Sequence, residues 1–373
     1  MPVEKLNKAD LRRSDRQVAM VMDLNKCIGC QTCTMACKML WTQDEGQEYM
    51  YWNNVETRPG HGYPKDWSRR GGGFANGSSV QGDLPSLDAY GRAWDYNYRQ
   101  TLHEGESDSI RTDEEAPQWG PNWDEDQGSG EYPNSFFFYF PRMCNHCTNP
   151  ACLNACPRNA IYKRDEDGVV VVNEERCHGY RFCVEGCPYD KMFWNSMKKV
   201  SQKCIFCYPR LEQGIPQACA AQCVGRIRFV GYLDDPESPT HKLVNEWGVA
   251  LPLHREFETE PNVYYIPPLS PPRYNDDGTL SETPRVPLGY LIWLFGEGVR
   301  DALNTLQTEL DKVRDGSESE LMRLLQARSY DDLFKLDKEP NPKFREIACG
   351  SCEIAELCES PVKGKKTIPV RSA

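Results

Sequence analysis

The chain has 373 residues, enough for two domains or for one domain with large insertions. Its 44 basic residues against 55 acidic ones leave a net charge of −11, which argues against nucleic-acid binding, because phosphate recognition needs basic surface. Hydrophobic content of 39% supports a core, while 28 Gly and 27 Pro predict much loop. The longest apolar run, Leu288 to Gly296, is far short of the roughly 20 residues of a membrane span.

The first twenty residues hold no apolar h-region and no small-residue cleavage site, so no secretory signal is expected in the chain itself. In such a chain the 18 Cys, strongly grouped, read first as metal ligands rather than disulfides. A strand-like run from Val18 to Asp23 leads into the first Cys group. Residues 59–134 contain no Cys and are rich in Gly, Asp, Trp and Tyr; the aromatics predict an ordered, irregular insertion. Phe136 to Phe140 reads as a buried strand. A turn at Asp167-Gly168 before Val169 to Val172 reads as a hairpin. Residues 233–285 are Pro-rich and are expected to be extended. Val299, Leu303, Leu306, Leu310 and Val313 fall on one helical face. A second short helix after Asp315-Gly316 should turn Leu321, Leu324 and Leu325 inward. Both helices read as a packing arm that carries no chemistry.

Four Cys motifs carry the chemistry. They comprise Cys27, Cys30, Cys33 and Cys37; Cys144, Cys147, Cys152 and Cys156, with Pro157 after; Cys177, Cys183 and Cys187, with Pro188 after; and Cys204, Cys207, Cys219 and Cys223. The first has the bacterial ferredoxin spacing, and the third has it with Tyr180 where a Cys is expected. Three close thiolates wrap one cluster, and the fourth Cys, often before a Pro, reaches the neighbouring cluster. Structural zinc sites use two ligand pairs around a longer spacer, so zinc is an alternative for the fourth motif alone.

The second and third motifs are joined by a hairpin of ferredoxin length and should form one two-cluster unit, leaving the first and fourth to form the other. With crossover of the fourth ligand, one [4Fe–4S] cluster takes Cys27, Cys30, Cys33 and Cys223. A second takes Cys37, Cys204, Cys207 and Cys219, and a third takes Cys144, Cys147, Cys152 and Cys187. The last site has only Cys156, Cys177 and Cys183. A phenol is a poor substitute for a thiolate, so Tyr180 predicts a missing iron and a [3Fe–4S] cluster; a Tyr-ligated [4Fe–4S] cluster is the alternative. His146 and His178 could donate hydrogen bonds to cluster sulfur, or simply face solvent. Lys26, Lys38, Lys191 and Lys203 could offset cluster charge, or be ordinary solvated lysines. In the tail, Cys349, Cys352 and Cys358 lack a fourth ligand and read as reduced thiols packed on a partner, outside the cluster count; a Cys352–Cys358 disulfide in an exported protein and a metal shared with a partner subunit are the alternatives.

The elements predict an α+β fold: two bacterial-ferredoxin-like (βαβ-type) modules with long loop insertions and a C-terminal helical arm. The expected division is residues 1–58 with 197–240 as module I, 59–134 as the insertion, 135–196 as module II, 241–340 as extended segment and helical arm, and 341–373 as a Cys-containing tail.

The Cys pattern, WNNVETRPG after the first motif, PNWDEDQGSGEYPN before the second and CPY-x-K closing the third resemble the iron–sulfur beta subunits of the type II dimethyl sulfoxide reductase family of molybdoenzymes. That branch includes nitrate, selenate, chlorate and perchlorate reductases, and the similarity is nearest to ethylbenzene dehydrogenase and nitrite oxidoreductase beta subunits. It covers residues 15–270 and, more loosely, the arm. The resemblance implies a subunit with no catalytic site of its own. It implies electron transfer between a molybdenum (bis-molybdopterin-guanine-dinucleotide) alpha subunit and a haem-bearing gamma or other acceptor subunit, with no direct membrane span. It also implies an extracytoplasmic location through co-export with a signal-bearing partner; the alternative is the cytoplasmic face of the membrane. In nitrate reductase relatives the non-Cys corner is a Trp; here it is Tyr180. The competing functions are a stand-alone polyferredoxin carrier and an iron–sulfur enzyme with an open cluster corner at Tyr180.

Overall fold

A computed structural model describes residues 7–91, 104–105 and 128–338. Its strands are β1 (Val18–Asp23), β2 (Asn54–Arg58), β3 (Phe74–Ala75), β4 (Ser78–Ser79), β5 (Phe138–Arg142), β6 (Ile161–Lys163), β7 (Val170–Val172), β8 (Phe193–Asn195), β9 (Val200–Gln202), β10 (Arg228–Tyr232), β11 (Leu251–Pro252), β12 (Val263–Ile266), β13 (Pro272–Tyr274) and β14 (Leu280–Pro284). The helices are α1 (Thr32–Trp41), α2 (Ala151–Ala155), α3 (Phe182–Gly186), α4 (Tyr208–Leu211), α5 (Ala218–Ala221), α6 (Pro239–His241), α7 (Leu288–Phe295), α8 (Val299–Arg314), α9 (Glu320–Gln326) and α10 (Tyr330–Leu333). The fold is α+β, with mixed helices and small sheets.

One four-stranded sheet, ordered β10-β1-β12-β11, anchors the molecule. Central β1 runs antiparallel to β10 and parallel to β12, and every residue of Val18–Asp23 is buried. Both faces of β1 are therefore covered, which is why its sequence is a continuous apolar run and not an alternation. The other sheets are two-stranded. Ribbons of that size are marginal alone and depend on packing against the body. The β2–β5 ribbon pairs Asn54 with Arg142 and Arg58 with Phe138, closing the chain across the insertion. Within the insertion Tyr63, Trp67, Phe74 and Tyr90 are buried, so its described part is ordered around its aromatics. It also lies close on the third Cys motif: a Cβ at Gly82 would meet the Glu185 carbonyl oxygen at 2.5 Å.

The structure corrects three details. The ladder expected over Phe136 to Phe140 runs instead over Phe138–Arg142, because the Arg142 side chain is anchored on Glu56 of the paired strand; Phe136 makes an isolated bridge to Ser129. The segment 233–285 is not wholly extended. Pro239 opens helix α6, which stays helical through Glu246, as a Pro at the first helical position favours. In α8 the buried stripe is Val299, Ala302, Leu306 and Glu309, while Leu303 and Leu310 are half-buried and Val313 is 39% exposed. The last turn of α8 runs past the body. Glu309 is taken inward because its carboxylate accepts from Ser319 Oγ at 2.7 Å and pairs with Lys312. Leu321, Leu324 and Leu325 of α9 are buried.

Candidate metal centres

The Cys loops reverse direction through left-handed residues. In the first, Gly29 (φ 67°) and Gln31 (φ 57°) flank Cys30 and end at the start of α1; in the third, Gly179 (φ 72°) and Arg181 (φ 63°) flank Tyr180 and end at the start of α3. The second turns at His146 (φ 44°), and the fourth at Phe206 (φ 52°) and Cys207 (φ 50°). A left-handed non-glycine residue costs about 1–2 kcal/mol and persists only where its surroundings dictate it. Helix α2 packs on α3, and α1 on α5, which carries each trailing Cys toward another motif, the next one along the chain in the first case and a distant one in the second.

The thiols gather in mixed sets. Cys27, Cys30, Cys33 and Cys223 line one hollow. Cys37 leaves its own motif and lines a second with Cys204, Cys207 and Cys219. Cys187 does the same in a third, with Cys144, Cys147 and Cys152. Cys183 has Cys156 and Cys177 as electrostatic neighbours, and the Ser201 N–H lies 3.4 Å from Cys177 Sγ. Burial pushes the thiols of Cys27, Cys183, Cys187 and Cys219 up to about 12. Burial and then the neighbouring Cys204, Cys219 and Cys207 hold Cys37 well above the usual thiol range.

These hollows suit a sulfide-bearing cluster. Around the second, the Trp52 Nε1, Asn53 Nδ2 and Gln217 Nε2 donors are buried without a hydrogen-bond partner among the described residues. Beside the third, Asn145 Nδ2 and His146 Nε2 are in the same condition. His146 Nδ1 accepts from the Val170 N–H at 3.1 Å, which puts the ring proton on Nε2 as a donor. Buried donors ordinarily have acceptors, and inorganic sulfide together with thiolate sulfur would supply them. Trp41 Nε1 already donates to Cys207 Sγ at 3.1 Å, and Arg228 Nη1 lies 3.5 Å from Cys219 Sγ. Among the described residues no three His, Cys, Asp or Glu side chains converge as a single metal ion requires.

Other sequence candidates separate. His146 is buried and His178 is exposed on the third loop. Lys191 and Lys203 are fully buried, whereas Lys26 and Lys38 are half-buried and donate to backbone carbonyls. Tyr180 is 55% exposed and stacks on Phe182. Cys349, Cys352 and Cys358 lie outside the described residues. Trp41, Trp52, Asn53, Gln217 and Arg228 were not apparent as site residues from sequence, because their partners lie far along the chain and obey no spacing rule. The one available signal was WNN beside VETRPG, a polar stretch that folds into the interior.

A 4Fe-4S dicluster domain family model matches residues 135–233. The dimethylsulfide dehydrogenase beta subunit of Rhodovulum sulfidophilum is 57% identical over 322 residues, 86% of this chain and 99% of that relative. The selenate reductase beta subunit of Thauera selenatis is 58% identical over 316 residues, 84% of this chain and 96% of its own. The respiratory nitrate reductase beta subunit of Haloferax mediterranei is 54% identical over 340 residues, 89% and 94% of the two chains. With thiol sets that suit iron–sulfur clusters and this similarity over most of its length, the chain belongs to the iron–sulfur beta subunits of the type II dimethyl sulfoxide reductase family of molybdoenzymes, electron-transfer subunits without a catalytic site of their own.

Proposed function

We propose that the chain holds three [4Fe–4S] clusters and one [3Fe–4S] cluster and works between a bis-molybdopterin-guanine-dinucleotide alpha subunit and a haem-bearing gamma or other acceptor subunit. The ligand sets are Cys27, Cys30, Cys33 and Cys223; Cys37, Cys204, Cys207 and Cys219; Cys144, Cys147, Cys152 and Cys187; and Cys156, Cys177 and Cys183, with Tyr180 at the open corner. When bound, the clusters supply one-electron redox chemistry over a wide range of potentials. The observation that carries this reading is that Cys37 and Cys187 share hollows with thiols of other motifs and not of their own. The same crossing supports two ferredoxin-like modules, residues 1–58 with 197–240 and residues 135–196.

The chain's own residues contribute charge, donors and exposure. The first set reaches the surface at Cys30, beside exposed Ile28 and Val224, and the last set does so at Tyr180 and Phe182. Two wetted ends suit two docking partners. Among the described residues no helix is long and apolar enough to cross a membrane. Location outside the cytoplasm, by co-export with a signal-bearing alpha subunit, belongs to the same proposal, with the cytoplasmic face of the membrane as its alternative.

The deciding experiment is Cys37→Ser in the assembled complex, followed by electron paramagnetic resonance. The cluster held by Cys204, Cys207 and Cys219 should be disturbed while the one held by Cys27, Cys30 and Cys33 stays intact; loss of the latter alone would mean that each motif keeps its own cluster. Trp41→Phe removes one N–H···S bond, worth about 1 kcal/mol. It should lower the potential of the same centre with full iron retained, whereas an unmoved potential would reduce Trp41 to packing.

A further inference from the structure

Arg228, in β10, is fully buried, yet among the described residues it forms no ion pair with a carboxylate. Nη2 donates to Asn53 Oδ1 at 2.8 Å, while Nη1 faces sulfur: Cys219 Sγ and Met20 Sδ at 3.5 Å and Met143 Sδ at 3.7 Å. Burial works against its charge, and what would offset burial is Cys33, Cys219, Cys223 and Cys27 in their thiolate form, as cluster ligands. Those four come from both the first and the second ligand set. Lys203 repeats the arrangement one step further on. It is fully buried, and its Nζ donates to the Val170 carbonyl and, at 2.8 Å, to the Cys204 carbonyl. It acts electrostatically on Cys204 of the second set and on Cys152 of the third. A buried cation needs a compensating anion. Among the described residues no carboxylate pairs with either side chain, and the thiolate-ligated clusters would provide the anion.

We propose that Arg228 and Lys203 are fixed positive charges, each shared by two neighbouring clusters, Arg228 by the first and second and Lys203 by the second and third, so that each raises two reduction potentials together. This rests on the ligand sets proposed above. The reduced state of a cluster carries one more negative charge than the oxidised state, so a cation in a poorly screened interior favours reduction. Because β10 is bonded to β1 and Lys203 is held by two backbone carbonyls, neither charge can swing away to water.

The test is a potentiometric titration of the assembled complex, followed by electron paramagnetic resonance, for Arg228→Met, Arg228→Lys, Lys203→Met and Lys203→Arg. Each Met variant should lower two midpoints, each by about a tenfold change in the ratio of oxidised to reduced centre, which is about 59 mV for a one-electron couple. The two affected pairs should overlap in one centre, the second, and the charge-keeping variants should stay near the parent. Should Arg228→Met fail to assemble, Arg228→Gln drops the charge while retaining a donor for Asn53. Unmoved midpoints, a uniform shift of all centres, or two pairs with no member in common would overturn the proposal. Iron content reads the ligand sets separately: a parent complex short of the expected iron defeats those sets, whereas full iron with unmoved midpoints defeats only the shared charges.

Discussion

Tyr180→Cys is expected to convert the proposed three-iron centre into a four-iron one, raising iron per chain from about 15 to about 16 and abolishing the oxidised [3Fe–4S] resonance. The backbone is already suited to the change. Tyr180 lies between Gly179 at φ 72° and Arg181 at φ 63°, as Cys30 lies between Gly29 at φ 67° and Gln31 at φ 57°, and each loop runs straight into a helix. A thiol at position 180 therefore occupies the place in its loop that Cys30 occupies in the first. The parent phenol is half in solvent against Phe182, so its removal opens no core cavity. The reduction potential of the centre should fall, since three-iron clusters lie relatively high in the range of these centres. A parent protein that carries about 16 irons and is silent when oxidised would instead mean a Tyr-ligated four-iron cluster.

Glu56→Gln should destabilise the protein by about 3–5 kcal/mol, because it leaves buried cations without their anion. Glu56 Oε1 pairs with Arg142 Nε at 2.6 Å and Oε2 with Arg58 Nη2 at 2.8 Å, and all three side chains are buried. Lys191, bonded to Asn54 Oδ1, lies nearby, though burial and the Arg142 guanidinium hold its ammonium well below the usual lysine range, so Arg58 and Arg142 carry the charge of the network; Arg142 also donates to the Tyr63 and Tyr189 carbonyls. Burial alone would raise the Glu56 carboxyl, but Arg142 and Arg58 bring it down from 4.5 to about 2. The folded value is thus depressed, so the contribution to stability is complete above about pH 4.5 and is lost as pH falls toward 2. Denaturation of parent and variant should differ most at neutral pH and converge in acid, where protonated Glu resembles Gln. A gap below about 1 kcal/mol at pH 7, or one that does not close in acid, would show that the network is solvated.

Glu56 and Arg58 lie in the same VETRPG stretch that marks the family, and Lys191 lies in its CPY-x-K companion. Residues that read on paper as a signature turn out to be a buried ion network tying the insertion to the third Cys motif. Chemistry that depends on short separations was legible along the chain: closely spaced thiols that point to clusters and not disulfides, an aromatic in place of one thiol, the buried run of β1, and the two helices of the arm. Spacing carries such information because a ligand loop is local, and its turn is closed by residues two or three apart. The surroundings of the thiols came from packing. Trp41 reaches Cys207 across 166 residues, and Arg228 reaches Asn53 across 175. The inward turn of Glu309 came from its meeting with Ser319, and the isolation of Arg228 from any described carboxylate came from the packing of β10 on β1. Charge and donor placement around a centre depend on which distant strands pack together, and no periodicity in one dimension encodes that.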